Sequence, residues 1–366
     1  MDNKKRVVIS GYYGFNNIGD EAILFAMIKL LQDNIPNINI TVLSNDPEKT
    51  KSNYKVNTIS RWDIKGIFKS IKSCNMLISG GGSLLQDITS YKTIPYYLGI
   101  VQLAILMHKQ VVFYSQGIGP INHPWNKWLV KVVANKVNHI FVREIKSKQL
   151  LESMNVKTPI EVSIDPVFGI NLNFEVYSNI KTRLKPEKKV GIYLRPWKNN
   201  KLLVKTITEV SKKLIQDGYE IYMICMQYKQ DLQVAKDVVN LVSSRNIHII
   251  GKSLNMDEAL AYTACFDFII GMRLHSLIMA FSVGVPIIAI SYDPKVENVM
   301  DEMCISHCIK LENLTYKNLM NKIRWIEHNI KLERNLINYI KRQKIEEIYM
   351  PIHYIKNKLL EDTNGL

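Results

Sequence analysis

Basic side chains follow several apolar segments in the C-terminal half of the chain, where they could bind a small anion. Arg273 and His275 come directly after the segment that ends at Ile270, while Arg195 and Lys295 follow two other apolar segments. Arginine binds a carboxylate or a phosphate through two parallel hydrogen bonds, and lysine acts as a point charge. Singly, such residues are usually structural or solvated. Together, at the ends of strands, they predict a site for a small, highly charged anion.

Glycine-rich segments in the N-terminal half provide a second group of candidates. Residues 10–23 (SGYYGFNNIGDEAI), 78–87 (ISGGGSLLQD) and 115–120 (SQGIGP) each follow an apolar segment of strand length. Glycine permits tight turns and the close approach of a ligand, and a helix N-terminus offers free N–H groups. Their spacing is neither GxGxxG nor that of a P-loop, so a dinucleotide or Walker A site is poorly supported. Three such turns predict one ligand site, although each alone also suits a close-packed turn.

Individual residues of these turns are candidates for binding and for proton transfer. Asp20 either caps a helix that begins near it or acts on a substrate as an acid or base. Arg143 ends another strand of the same half and adds a cation. The other predicted ligand-binding residues of this half are Gly14, Gly19, Gly81, Gly82 and Gln116.

Strand and helix patterns alternate along the chain. Near-continuous apolar strands separated by helices indicate parallel sheets covered on both faces. The sequence therefore predicts an α/β protein with two doubly wound, Rossmann-like domains that face a cleft, with ligands beyond the carboxyl ends of the strands. The predicted division is an N-terminal α/β domain 1–172, a polar linker 173–188, a C-terminal α/β domain 189–310 with the predicted anion site and a helical tail 311–366.

Composition limits the class of protein. The 366 residues are 47% hydrophobic and 22% charged, which is typical of a globular protein of about two domains. Five scattered cysteines fit a reducing compartment, and the absence of a signal-peptide pattern or a membrane span predicts a soluble cytoplasmic protein. No metal site is predicted, because Cys304, His307 and Cys308 lack a second group of ligands.

The net charge of +15 favours an anionic partner, although a biased genome composition also produces lysine-rich chains. Two segments, 61–72 and 123–136, combine basic and aromatic residues at helical spacing. Arg61, Lys65, Lys69 and Lys72 fall on one helical face, and Trp125 and Trp128 accompany lysines in the second segment. The two segments predict either a surface for an anionic membrane or helices packed on their own sheet. No known nucleic-acid-binding motif is present, so nucleic acid is not expected as a partner.

The ordered motifs resemble the polysaccharide pyruvyl transferase family, especially its CsaB-type members. The resemblance is carried by GYYGFNNIGDEAI, GGGSLLQD, QGIGP, VRE, DPVF, YLRPW and GMRLHSLIMAFSVGVPIIAISYDPKV, which span about four fifths of the chain. It implies a two-domain fold similar to GT-B glycosyltransferases. It also implies transfer of a pyruvyl group from phosphoenolpyruvate, as donor substrate and without a further cofactor, to a sugar as a cyclic ketal.

The resemblance also implies roles for individual residues. Phosphoenolpyruvate would be bound by Arg143, Arg273, His275 and Lys295, and Leu274 between two of them is a further predicted substrate-binding residue. The implied acceptor is N-acetylmannosamine of a lipid-linked precursor of secondary cell wall polysaccharide, which anchors S-layer proteins, at the inner face of the membrane. His275 is the first choice for proton transfer, since the pKa of histidine suits this task at neutral pH. The domain 1–172 would then be the acceptor side, with Asp20 as the candidate for orienting or deprotonating the acceptor.

Two other interpretations remain open from the sequence. The same scaffold suits a glycosyltransferase or a sugar-nucleotide epimerase, because a fold does not determine a reaction. A polysaccharide- or membrane-binding protein without activity is the alternative of another class. It predicts that phosphoenolpyruvate does not bind.

Overall fold

The structure, a computed structural model, describes residues 5–15, 17–88, 90–197, 200–251 and 254–364. The chain forms two compact units. The first unit comprises the described residues up to Ile170 together with those from Lys344 onward, and the second unit spans Asn171–Gln343. No helix within the described ranges combines the length and the apolar composition that a membrane span needs.

The first unit is built on a parallel sheet of eight strands, in the order β3-β2-β1-β4-β6-β7-β8 with β5 paired to β6. Ile9 at its centre pairs with Val42 on one side and Ile78 on the other, and all three side chains are buried. The strands are β1 (Lys5–Ser10), β2 (Ile38–Ser44), β3 (Asn57–Ser60), β4 (Met76–Ser79), β5 (Gly82–Leu85), β6 (Gln110–Ile118), β7 (His139–Val142) and β8 (Ile160–Val162).

Helices connect these strands, as parallel pairing requires, except that β4 leads into β5 through Gly80 and Gly81. They are α1 (Ile18–Asn34), α2 (Pro47–Tyr54), α3 (Ile64–Ser73), α4 (Thr93–Leu106), α5 (Pro124–Ala134) and α6 (Ile145–Ser153). Helix α4 packs against both α3 and α5, and a short 3₁₀ segment, Pro166–Gly169, contacts α1.

The second unit repeats this plan with a parallel sheet of six strands in the order β11-β10-β9-β12-β13-β14. Its strands are β9 (Lys188–Tyr193), β10 (Tyr219–Ile224), β11 (Ile247–Ile250), β12 (Phe268–Gly271), β13 (Ile287–Ser291) and β14 (Cys308–Lys310). Its helices are α7 (Phe174–Arg183), α8 (Asn200–Gln216), α9 (Tyr228–Val242), α10 (Met256–Ala264), α11 (Leu274–Ser282), α12 (Pro294–Glu302) and α13 (Tyr316–Gln343).

The units differ from the predicted domain division in two places. Residues 173–188 are not only a linker, because they contain α7, which caps on Asn173 and packs against α10. The predicted tail 311–366 is divided between the units: α13 packs on α8, whereas α14 (Ile345–Asn364) packs on α1 and on the 3₁₀ segment. The sequence of an amphipathic helix indicates which of its faces is buried, but it does not indicate which other element covers that face.

Candidate active site

The three glycine-bearing turns of the first unit converge at one edge of its sheet, as the sequence predicts. The first two follow β1 and β4, whereas the third begins inside β6 and continues past its end at Ile118; the three strands are neighbours in the sheet. The amide of Gly80 donates a 2.7 Å hydrogen bond to the carbonyl of Ser10, so the first two turns are in direct contact. Gly14 and Gly82 have φ of +79° and +93°, a region that favours glycine. The second turn leads into β5 rather than directly into the expected helix.

Asp20 lies in the first turn of α1 and is not its N-cap. The cap is Asn17, which accepts a 3.3 Å hydrogen bond from the amide of Gly19 and donates one to the Asp20 carboxylate. Gly19 therefore lies inside the helix, whereas the sequence predicts it in the preceding turn. Since Asn17 performs the capping, the Asp20 carboxylate remains available for chemistry.

Burial raises the pKa of Asp20 to about 7, although the charge of Arg143 opposes this increase. Gly82 leaves space for the carboxylate, because a Cβ at this position would lie 2.8 Å from Oδ1 of Asp20. A group with a pKa near 7 both accepts and releases protons at neutral pH. The structure thus places a carboxyl suited to acid–base chemistry at the edge where the turns converge.

Glu21 organises the loop in front of Asp20. Its carboxylate accepts hydrogen bonds from the amide of Gly14 at 2.8 Å and from the hydroxyl of Tyr54 at 2.6 Å. It thereby connects the glycine loop to α2.

Arg143 lies at the same edge of the first unit, immediately after β7. Its guanidinium donates to the Asp165 carboxylate at 3.1 Å and to the Ser83 hydroxyl at 3.3 Å. Gly117 makes room for it, since a Cβ there would lie 3.0 Å from Nε of Arg143. Asp165 is itself held by the amide of Val167 at 3.1 Å. The sequence identified Arg143 as a cation but not these two partners.

Two of the predicted ligand-binding residues are buried and packed against the protein, Gln116 within β6 and Gly81 in the turn between β4 and β5. The side chain of Gln116 donates to the carbonyl and the hydroxyl of Ser79 at 3.0 and 2.7 Å, so it connects β6 to β4. A Cβ on Gly81 would lie 2.7 Å from Cγ2 of Ile23, as expected for a close-packed turn. Both residues therefore support the edge of the sheet from within.

In the second unit, three of the predicted cations follow adjacent strands. Arg195, Arg273 and Lys295 come after β9, β12 and β13, which are neighbours in the sheet. Arg273 is the N-cap residue of α11, and Leu274 and His275 are its first two helical residues, both half-buried. The helix N-terminus adds partial positive charge to that of the side chains. This edge of the second unit therefore has the electrostatic character that an anion requires.

Arg273 is held by a partner that sequence reasoning missed. Its Nη2 atom forms an ion pair with the buried carboxylate of Asp231, in the first turn of α9. Asp231 also accepts a 2.8 Å hydrogen bond from the amide of Gln227. The buried Nε of Arg273 has no acceptor among the described residues. One side of the guanidinium is thus fixed, and a donor remains for a ligand.

Arg195 and Lys295 have different surroundings. The guanidinium of Arg195 stacks on Tyr292, 4.5 Å from the ring centroid, and donates to its hydroxyl at 2.7 Å. Trp197 lies on the same guanidinium at 5.3 Å. Lys295 is exposed in the first turn of α12, where its amide donates to the capping side chain of Asp293 at 2.9 Å. Within the described ranges, no cluster of three or more His, Cys, Asp or Glu side chains is arranged for a metal ion.

The two predicted basic-aromatic segments contain α3 and α5, and both segments present aromatic side chains to the solvent, with Trp62 just before α3. Trp62, Phe68, Trp125 and Trp128 are 65%, 48%, 57% and 50% exposed. Their lysines are also exposed: Lys65, Lys69, Lys72, Lys127 and Lys131. Arg61 differs from the prediction, because it precedes α3 and is buried instead of joining the basic face.

Comparison with known proteins defines the family. A model of the polysaccharide pyruvyl transferase family matches residues 17–294. The amylovoran biosynthesis protein AmsJ of Erwinia amylovora is 20% identical over an alignment of 416 residues, which covers 93% of this chain and 96% of AmsJ.

Solved structures show the same fold at low identity. Anabaena HepE in complex with UDP-glucose is 10% identical with a TM-score of 0.63, and the match covers 99% of this chain and 100% of HepE. UDP-GlcNAc 2-epimerase from Neisseria meningitidis, bound to UDP-GlcNAc, is 15% identical with a TM-score of 0.61, over 98% and 99% of the two chains. These similarities establish a GT-B-like α/β fold with two parallel sheets. Because the family model covers most of its length, this chain is a transferase that belongs to the polysaccharide pyruvyl transferase family.

Proposed function

We propose that the protein transfers the pyruvyl group of phosphoenolpyruvate to two hydroxyls of one sugar, which forms a 4,6-ketal and releases phosphate. The observation that carries this proposal is the set of basic side chains after three adjacent strands of the second unit. Phosphoenolpyruvate carries a carboxylate and a phosphate on three carbons, so it requires several cations close together. Arg273 supports the assignment further, because one side is fixed by Asp231 and Nε is left without an acceptor among the described residues.

The reaction proceeds in two additions. His275 protonates the methylene carbon, C2 becomes oxocarbenium-like, and a sugar hydroxyl attacks it. The C2–O bond to phosphate then breaks, and a second hydroxyl of the same sugar closes the ketal. One hydroxyl proton replaces the proton that His275 supplied, and the other leaves with phosphate. Arg273 and Lys295 bind the carboxylate and stabilise the departing phosphate.

In this scheme Asp20 orients the acceptor and takes its hydroxyl proton. Its pKa of about 7 allows it to hold a proton and release it at neutral pH. Arg143 is proposed as a further ligand of phosphoenolpyruvate. Support comes from its cationic group, which Asp165 and Ser83 orient from one side.

We propose N-acetylmannosamine in a lipid-linked precursor of secondary cell wall polysaccharide as the acceptor. This rests on the CsaB-type motifs, and polysaccharide synthesis is also the process named for AmsJ. The exposed aromatic and basic residues of α3 and α5 would then contact an anionic membrane at the cytoplasmic face. Co-sedimentation with anionic and neutral liposomes tests the membrane contact. Equal recovery with both, or none at low salt, would contradict it.

The decisive assay measures phosphate released from phosphoenolpyruvate in the presence of a lipid-linked disaccharide that ends in N-acetylmannosamine. A parallel incubation with UDP-sugars tests the alternative of a glycosyltransferase or an epimerase. We expect phosphoenolpyruvate to be consumed and UDP-sugars to remain intact.

The variant His275→Ala should abolish phosphate release without unfolding the protein. His328→Ala is the matched control, since His328 is an exposed residue of the same unit. Wild-type turnover in His275→Ala would remove this residue from the mechanism. Loss of turnover in both variants would indicate a general effect on the second unit.

A further inference from the structure

Arg61 lies among aromatic rings directly after β3 in the first unit. Its guanidinium carbon is 4.3 Å from the ring centroid of Tyr96, 5.0 Å from Phe15, 5.2 Å from Trp62 and 5.5 Å from Tyr97. The residue is only 7% exposed. We call these four rings and the guanidinium the Arg61 cage.

Part of the hydrogen-bonding capacity of the Arg61 guanidinium is unused, although the group also interacts with the hydroxyls of Tyr96 and Tyr97. Its buried Nε and Nη1 atoms have no acceptor, and no carboxylate forms an ion pair with it, among the residues that the structure describes. Aromatic faces stabilise a cation but do not replace the in-plane acceptors that guanidinium N–H groups require. A buried charge in this state is costly, and an anionic ligand would relieve the cost. Arginine matches phosphate in particular, through its paired donors.

Exposed rings adjoin the cage. Tyr12 is 40% exposed and stacks on Phe15 with a centroid distance of 4.1 Å, and Trp62 is 65% exposed. Such rings offer apolar faces to a sugar ring beside a donor for phosphate. Trp62 lies over the guanidinium while most of its ring is in solvent, so it forms the solvent-facing side of the cage.

The cage also lies near Asp20. Phe15 belongs to the loop between β1 and α1, and the charge of Asp20 contributes to the raised pKa of Tyr97, after burial as the main cause. A ligand phosphate at Arg61 would therefore place an attached sugar in the vicinity of the proposed proton acceptor.

We propose that Arg61 binds a phosphate of a glycosyl diphosphate, whose sugar lies against Tyr12 and Trp62. This inference deepens the proposed function and rests on it for the identity of the sugar as acceptor. The shared chemistry is a sugar linked to diphosphate, whether its other end is a lipid or a nucleoside.

The first test measures binding of inorganic pyrophosphate by calorimetry, with phosphoenolpyruvate present in excess to occupy the donor site. We expect Arg61→Met to weaken binding by 10- to 100-fold, about the loss for charge-assisted hydrogen bonds. Lys65→Met is the control, because Lys65 is exposed on α3, and it should change binding by less than about threefold. Equal affinity of Arg61→Met and wild type would overturn the proposal.

Variants of exposed rings keep the test valid if Arg61→Met fails to fold. Trp62→Phe should remove most of the tryptophan fluorescence change that pyrophosphate produces in the wild type. Tyr12→Ala should raise the KM for the saccharide acceptor without a change in KM for phosphoenolpyruvate. A fluorescence change that persists in Trp62→Phe, or an unchanged acceptor KM in Tyr12→Ala, would also count against the cage as the site.

Lipid-linked and nucleotide-linked diphosphosugars are then compared as ligands of wild type and Arg61→Lys. Whichever of the two kinds of diphosphosugar binds, its affinity should be lower in Arg61→Lys, because lysine retains the charge but not the paired donors. If pyrophosphate binds through Arg61 while no pyruvyl transfer occurs, the proposed function is wrong but phosphate binding at the Arg61 cage is supported. If pyruvyl transfer occurs with the same acceptor KM in the wild type and in both Arg61 variants, the proposed function holds and the assignment of the Arg61 cage as a phosphate site is wrong.

Discussion

Replacement of Asp20 by asparagine should change how the stability of the protein depends on pH. Burial raises the pKa of Asp20 from 3.8 to about 7, so the folded protein retains a proton that the unfolded chain releases. Stability from this group is complete below pH 3.8 and is lost as the pH rises through about 7. At 1.36 kcal/mol per pKa unit, the difference corresponds to about 4 kcal/mol. This is an upper limit, because Asp20 keeps some exposed surface and solvent screens its charge.

Asparagine has nearly the same shape and does not ionise. We therefore expect Asp20→Asn to match the wild type near pH 4 and to be more stable at pH 8, by up to about 4 kcal/mol. Denaturant unfolding of both proteins at several pH values measures the difference, and other titrating groups cancel because they are common to both. If the stability difference between the proteins stays constant from pH 4 to pH 8, the buried, protonated state of Asp20 is refuted. The variant should also lose pyruvyl transfer, although the stability test does not depend on activity.

Three further changes test the two units. Gly82→Ala should lower the free energy of unfolding by about 1–3 kcal/mol, measured with denaturant, because it strains a φ of +93°. It should also shift the pH profile of turnover, because the new Cβ would lie 2.8 Å from Asp20. Unchanged stability and an unchanged profile would argue against this packing. Asp231→Asn should raise the KM for phosphoenolpyruvate about tenfold with a smaller effect on kcat, because it weakens the ion pair that orients Arg273. An equal loss in kcat would show that Asp231 does more than orient Arg273 for binding. Combining Arg143→Met with Arg273→Met should show coupling of about 0.5–3 kcal/mol in phosphoenolpyruvate affinity if both bind the same molecule; strict additivity would contradict a shared ligand.

Much of the fold could be predicted because its central strands are almost entirely apolar. The last four residues of β9 (Lys188–Tyr193) are buried, and so are all four residues of β4 (Met76–Ser79). The missed elements lack that signal. Helix α2 (Pro47–Tyr54) buries only Thr50, and β3 (Asn57–Ser60) is a short edge strand without a fully buried residue. Strand β5 begins inside the glycine turn, where the sequence resembles a loop.

Those residues of the candidate site that directly follow a strand could be predicted from the sequence. A cation after each of three neighbouring strands follows from the order of strands, which alternation with helices largely determines. Its partners were not predictable in this way. Asp231 lies 42 residues before Arg273, and Asp165 lies 22 residues after Arg143. Such pairs form where the beginning of one element lies beside the end of a strand that is distant in the chain. A single sequence contains no local pattern that indicates this proximity.

Arg143 and Arg273 are held in the same manner within their separate units. Each follows a strand and donates to a buried aspartate, Asp165 or Asp231, that a backbone amide also fixes. If these aspartates served only to balance charge, their removal would increase the affinity for an anion. If they orient the guanidinium, their removal weakens binding although the net charge becomes more positive. The backbone amides favour orientation, because a carboxylate that is fixed at one oxygen gives its arginine partner a defined direction. Tighter binding of phosphoenolpyruvate by Asp231→Asn than by the wild type would therefore show that charge balance, and not positioning, governs this edge of the sheet.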